Sequence, residues 1–181
     1  MKSGVALPLC VAVLAGVASP AGACGPMATV RFVEGAPTDR FEIVNNSSDG
    51  WDVARLALAL DGSAGALIFD TRGGGPGSSM WQPFMPAPAD FDAAVPVEVG
   101  DGTRALTLEF AGFRPGAAFR FTIDVDDTLV RSELGPMRVT ESEIEGALAK
   151  AVFRAPDGEE MALDGHFGPD GIAIVSGLAC S

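Results

Sequence analysis

The chain is poor in the residues on which most enzymes depend. Its 181 residues include a single histidine, His166, and three cysteines. One histidine cannot build a multi-histidine zinc site. A Ser-His-Asp triad would have to use His166, which sits in the turn-like run Asp164-Gly165-His166-Phe167-Gly168, and no Gly-x-Ser-x-Gly elbow presents a serine. Basic residues are scarce too, 12 Lys and Arg against 24 Asp and Glu, for a formal net charge of −12. A field of that sign repels nucleic acid and anionic membranes and attracts cations or basic partners. Long apolar runs are missing after the first 23 residues, so no later stretch suits a membrane-spanning helix.

What the first residues do contain is a targeting pattern. Met1 and Lys2 open it, an apolar stretch runs from Gly4 to Ala18, and Ala21-Gly22-Ala23 supplies the small residues that a signal peptidase needs. Residues 1–23 are read as a cleaved secretory signal and 24–181 as one domain, secreted or periplasmic. Lipid anchoring through Cys24 stays open as a second reading, although Ala21 stands where lipoprotein signals usually carry Leu. Loss of Cys10 with the signal leaves Cys24 and Cys180, a pair expected to form one disulfide in an oxidising compartment.

Turn signals recur along the rest of the chain, among them Asn45-Asn46-Ser47-Ser48-Asp49-Gly50, Asp61-Gly62, Gly100-Asp101-Gly102, Pro115-Gly116 and Pro156-Asp157-Gly158. Between them lie short alternating segments, including 29–33, 40–44, 53–60, 64–69, 95–99, 105–110, 118–125, 138–144, 148–154, 161–163 and 172–175. About ten short strands punctuated this way predict an all-β fold, an antiparallel β-sandwich of immunoglobulin-like or jelly-roll-like type.

The segment Phe119-Arg120-Phe121-Thr122-Ile123-Asp124-Val125-Asp126-Asp127 combines a strand with a charge cluster. Strand phase puts Phe119, Phe121, Ile123 and Val125 in the core and Asp124 and Asp126 on the solvent face, with Asp127 at the strand end. Carboxylates that close repel, and a calcium ion held by several carboxylates and backbone carbonyls would offset the repulsion. Asp70, which ends Ala66-Leu67-Ile68-Phe69, joins that set if its strand is a neighbour. The spacing is not that of an EF-hand, and an acidic strand end that merely makes turns is the competing reading.

Other motifs carry less. The glycine-rich run Thr71-Arg72-Gly73-Gly74-Gly75-Pro76-Gly77-Ser78-Ser79 lacks the Gly-Lys-Ser/Thr ending of a phosphate cradle and reads as a flexible connection. Trp51, between Gly50 and Asp52, is the better candidate for an exposed sugar platform, while Trp81 has apolar neighbours to pack against. Two overlapping glycosylation sequons at Asn45-Asn46-Ser47-Ser48 mark a surface turn.

The order of several segments resembles the aggregation factor core protein family, small secreted bacterial relatives of the sponge aggregation factor core adhesion region. The segments are 31–43 followed by Asn45-Asn46-Ser47, then 65–71, Trp81-Gln82-Pro83-Phe84, 121–129 and 139–147. The resemblance implies an extracellular, non-enzymatic β protein engaged in adhesion, with calcium as the possible cofactor. It implies a glycan or protein partner and allows a homo-oligomer, since one small domain cannot crosslink cells alone. A carbohydrate-binding module using Trp51 is the alternative, and a secreted hydrolase a more distant one.

Overall fold

The computed structural model describes residues 25–35, 38–88, 98–132, 134, 135 and 137–177. Among the described residues, eleven strands are distributed over two main sheets and a small ribbon. They are β1 (Met27–Val33), β2 (Asp39–Asn45), β3 (Asp52–Ala59), β4 (Ile68–Phe69), β5 (Met85–Pro86) and β6 (Ala105–Phe113), followed by β7 (Ala118–Ile123), β8 (Val125–Asp126), β9 (Leu148–Arg154), β10 (Glu160–His166) and β11 (Ile172–Ser176). One sheet has the order β11-β1-β2-β7-β5, the other β10-β9-β3-β6, and β4 pairs with β8 outside both. Every ladder is antiparallel. This is the antiparallel sandwich that the sequence predicts.

Alternation explains why the two sheets close on each other. Along β1, Ala28, Val30 and Phe32 are buried; along β7, Phe119, Phe121 and Ile123; and across from them Leu56 and Leu58 of β3 and Leu106 and Leu108 of β6. Residues between them point outward, as a period of two demands. Phe41 and Phe121 stack with ring centroids 5.1 Å apart, whereas Phe110 meets Phe119 edge to face at 5.2 Å and so ties the second sheet to the first. Aromatic contacts of this geometry add to the apolar area already removed from water.

One polar side chain sits at the end of this core. Asn45 is fully buried; its Nδ2 donates to Phe113 O at 2.7 Å and Trp51 O at 2.9 Å, and its Oδ1 accepts from Ser47 N. The amide therefore pins the end of β2 to the end of β6, and in the folded chain it is not an accessible sequon. Asn45→Ala strands two carbonyls without a donor, which should cost about 2 to 4 kcal/mol. Denaturant unfolding at a fixed pH measures it, and a loss below about 1 kcal/mol would mean that the two carbonyls find other donors.

Three expectations need correction. Segment 138–144 is not a strand: Thr140 N–H donates to Glu143 Oε2 at 2.8 Å, and Val139 and Ile144 plug the core from turns. Segment 64–69 keeps only Ile68–Phe69 as strand, because Ser63 Oγ accepts from Leu67 N at 2.8 Å and Ala66 takes a φ of 49°. The disulfide is not supported either. No disulfide links the described residues, and Cys24 and Cys180, with the signal segment 1–23, lie outside them. Among the described residues the two ends of the fold are joined by backbone pairing, with Met27 opposite Ser176 and Arg31 opposite Ile172. Most of segment 95–99 also falls outside the described residues.

Candidate metal centre

The strand that carries the aspartates changes partners midway. Up to Ile123 the chain belongs to the five-stranded sheet, paired with β2. Beyond it, β8 leaves that sheet and pairs with β4, Asp126 opposite Ile68 and Val125 opposite Phe69. Asp70 N–H then donates to Asp124 O at 3.0 Å, and Gln82 is held between them, its N–H on Asp70 O at 3.2 Å and its carbonyl accepting from Asp124 N at 3.1 Å. The acidic neighbours in sequence are thereby folded onto a third aspartate more than fifty residues away.

The result is a buried carboxylate cluster. One oxygen from each of Asp70, Asp124 and Asp126 lies within 4.8 Å of the others. The three residues are only 1%, 4% and 1% exposed, so the solvent-facing placement read from strand phase is overturned. The change of partner at Asp124 is the reason, since alternation holds only while a strand stays in one sheet. Asp127 is buried beside them, with Oδ1 accepting from Leu129 N at 3.0 Å.

Little inside the protein offsets this charge. Both oxygens of Asp70, Asp124 Oδ2, Asp126 Oδ1 and Asp127 Oδ2 are buried without a hydrogen-bond partner. Asp126 Oδ2 does accept from Ser78 N. Burial first, and then Asp126 and Asp101, push the Asp70 carboxyl up to about 7. Burial followed by Asp126 and Asp70 pushes Asp124 to about 7 as well, and burial raises Asp126. Orphaned carboxylate oxygens out of water are among the costliest groups a fold can hold. A buried Asp70/Asp124/Asp126 cluster of this kind can coordinate a divalent ion, which supplies the missing positive charge.

Three residues important to the site were not singled out in the sequence. Asp101 accepts from Thr71 N and Arg72 N, both at 3.0 Å, while its carboxylate adjoins that of Asp70. Asp39 is 3% exposed, accepts from Gly35 N and Val125 N, and is pushed by burial up to about 8. Ser78 belongs to the glycine-rich run, which packs directly on the cluster and is not a loose connection. Asp101 is the one with a sequence signal, an Asx-type turn residue between two glycines.

The remaining candidates lie elsewhere. Trp51 packs against the core and its carbonyl is used by Asn45, whereas Trp81 is 50% exposed. His166 is exposed at the end of β10, with Nδ1 3.2 Å from Gly146 O. No helix among the described residues is long and apolar enough to cross a membrane.

Comparison with family models, with curated proteins and with solved structures gives no match to this chain. Nothing in it ties the chain to the aggregation factor core family. What the fold and site define is an all-β sandwich carrying a buried, divalent-ion-competent carboxylate cluster.

Proposed function

We propose that this is an extracellular binding domain, not a catalyst, whose surface near the β4–β8 ribbon is organised by one calcium ion. Adhesion or matrix association through a glycan or protein partner is the role it serves. The observation that carries the reading is the set of five buried carboxylate oxygens without a donor. Asp70, Asp124 and Asp126 are the ligands, and Asp127 Oδ2 is the nearest addition in sequence. An all-oxygen donor set without His or Cys selects a hard cation. Calcium fits better than magnesium because residues 1% to 4% exposed leave little room for the waters that magnesium retains.

Chemistry argues for binding over hydrolysis. A glycosidase needs one carboxyl held protonated and a second kept ionised, some 5 Å or more apart. Here Asp70 and Asp124 are pushed in the same direction to the same value, with oxygens inside 4.8 Å. The carbohydrate-binding alternative shifts to Trp81, the half-exposed tryptophan that lies against Gly73.

Calcium titrated calorimetrically into the chelator-stripped protein should bind saturably, one ion per chain, with magnesium much weaker. At a hundredfold excess over Kd the gain is about 2.7 kcal/mol. For a domain of this size that raises Tm by roughly 5 to 10 °C. Absence of both heat and Tm shift up to about 10 mM calcium sinks the reading, since even weak extracellular sites saturate near there.

A further inference from the structure

Between β4 and β5 the chain runs over the carboxylates as a thin strap, residues 71–82. One end is fixed by Asp101, whose Oδ1 takes the N–H groups of Thr71 and Arg72 at 3.0 Å each. The middle touches the cluster through its backbone and the Ser78 hydroxyl. A Cβ on Gly77 would overlap the Asp70 carboxylate and come within 2.7 Å of Asp126 Oδ2, and one on Gly75 would overlap the Asp101 carboxylate. The next N–H, that of Ser78, donates to Asp126 Oδ2. The far end is held by Gln82 between Asp70 and Asp124.

Beyond these the strap is held by Thr71 Oγ1, which donates to Val99 O at 3.2 Å, and by Pro76 against Gly102. Residues Arg72 to Pro76 and Met80 to Trp81 are exposed, the last two about half open at 51% and 50%. Trp81 rests on the strap itself, since a Cβ at Gly73 would lie 2.7 Å from its Nε1. The segment buries almost no apolar area, so its anchorage is largely its contact with three carboxylates, those of Asp70, Asp101 and Asp126. Those carboxylates are mutually repulsive until a positive charge joins them.

We propose that residues 71–82 form a cation-operated clasp, held shut over the Asp70/Asp124/Asp126 cluster when a divalent ion is bound and released when it is not. The inference rests on the calcium reading above. It adds that the ion controls a surface, the Met80-Trp81 side of the strap, and does more than stiffen the core. A glycine is required at 77 because the wall of the site there is main chain. Secretion into a calcium-rich medium would then set this surface in place.

The experiment uses the full chain with Trp51→Phe, which leaves Trp81 as the only tryptophan. Calcium chloride should shift and sharpen Trp81 emission over the same concentration range as the calorimetric isotherm. It should also slow tryptic cleavage of the Arg72–Gly73 bond about tenfold or more, as expected if cleavage proceeds through the opened strap. Gly77→Ala, which retains every aspartate, should weaken calcium about tenfold or more, whereas Gly112→Ala, whose added methyl meets nothing within 4 Å, should not. Calcium heat with unchanged Trp81 emission and unchanged cleavage overturns the clasp and leaves the ion site standing. Absence of calcium heat overturns both.

Discussion

Asp70→Asn should abolish the calcium response and at the same time leave the chelated domain more stable than its parent. The two effects have one cause. Asp70 has both oxygens buried without a donor, and its carboxyl is raised by burial and then by its neighbours Asp126 and Asp101. Asparagine keeps the shape, removes one negative charge and offers an NH2 to the adjacent carboxylates. Removing a carboxylate ligand should weaken calcium by about a hundredfold or more, since even outer-shell changes cost ten- to hundredfold. In chelator at pH 8 the relieved repulsion and the new donor should gain about 1 to 2 kcal/mol, or roughly 3 to 6 °C in Tm. Melting curves of both proteins in chelator and in millimolar calcium decide it. A variant less stable than its parent in chelator would mean that Asp70 serves the fold and not an ion.

Stability in chelator should fall as pH rises, the reverse of the usual behaviour of a protein rich in carboxylates. Asp70 and Asp124 sit at about 7 and Asp39 at about 8, all above the ordinary value of 3.8. The native state therefore holds protons that the unfolded chain has already released, and unfolding lets them go. The stability these groups confer is fully present below about pH 4 and is lost as pH climbs through 7 and 8. Each tenfold gain in a carboxyl's proton affinity on folding is worth about 1.4 kcal/mol. A Tm drop of about 10 °C between pH 5 and pH 8 is expected. Excess calcium should flatten most of that slope by replacing the protons on Asp70 and Asp124. The part due to Asp39, whose oxygens already accept from Gly35 N and Val125 N, should persist. Calcium affinity should correspondingly weaken as pH falls below about 7, with proton release on binding. A flat or rising Tm across this range in chelator contradicts the buried, uncompensated cluster.

Alternation and turn chemistry made most of the sandwich legible. The runs 29–33, 40–44, 53–60, 105–110, 148–154 and 172–175 all fall on strands, because period-two burial is a local property of sequence. Val139 and Ile144 misled, since two apolar residues can plug a core from a turn as well as from a strand. The aspartates were visible as a group, and Asp70 was conditionally joined to them; the β4–β8 ribbon meets that condition. Their burial was not visible. It depends on β8 quitting the sheet and on a strap from elsewhere in the chain covering the gap, both non-local events. The roles of the tryptophans were exchanged for a similar reason. Apolar neighbours at Trp81 suggested packing, yet it lies against Gly73 in the glycine-rich part of the strap and has no core to enter.

The register of the five-stranded sheet gives the domain a direction. Met27 lies opposite Ser176 and Asn45 lies beside Ala28, so the start of β1 and the finish of β11 share one end of the sheet. Asp39 lies opposite Ile123 at the other end, and Asp124 follows at once. The described chain therefore enters β1 and leaves β11 at the pole away from the carboxylates, separated by the length of β7, about 20 Å for six residues. A bead or fusion partner coupled through either end should leave the carboxylate pole facing the medium, and a short loop joining the two ends should permit new termini to be opened elsewhere.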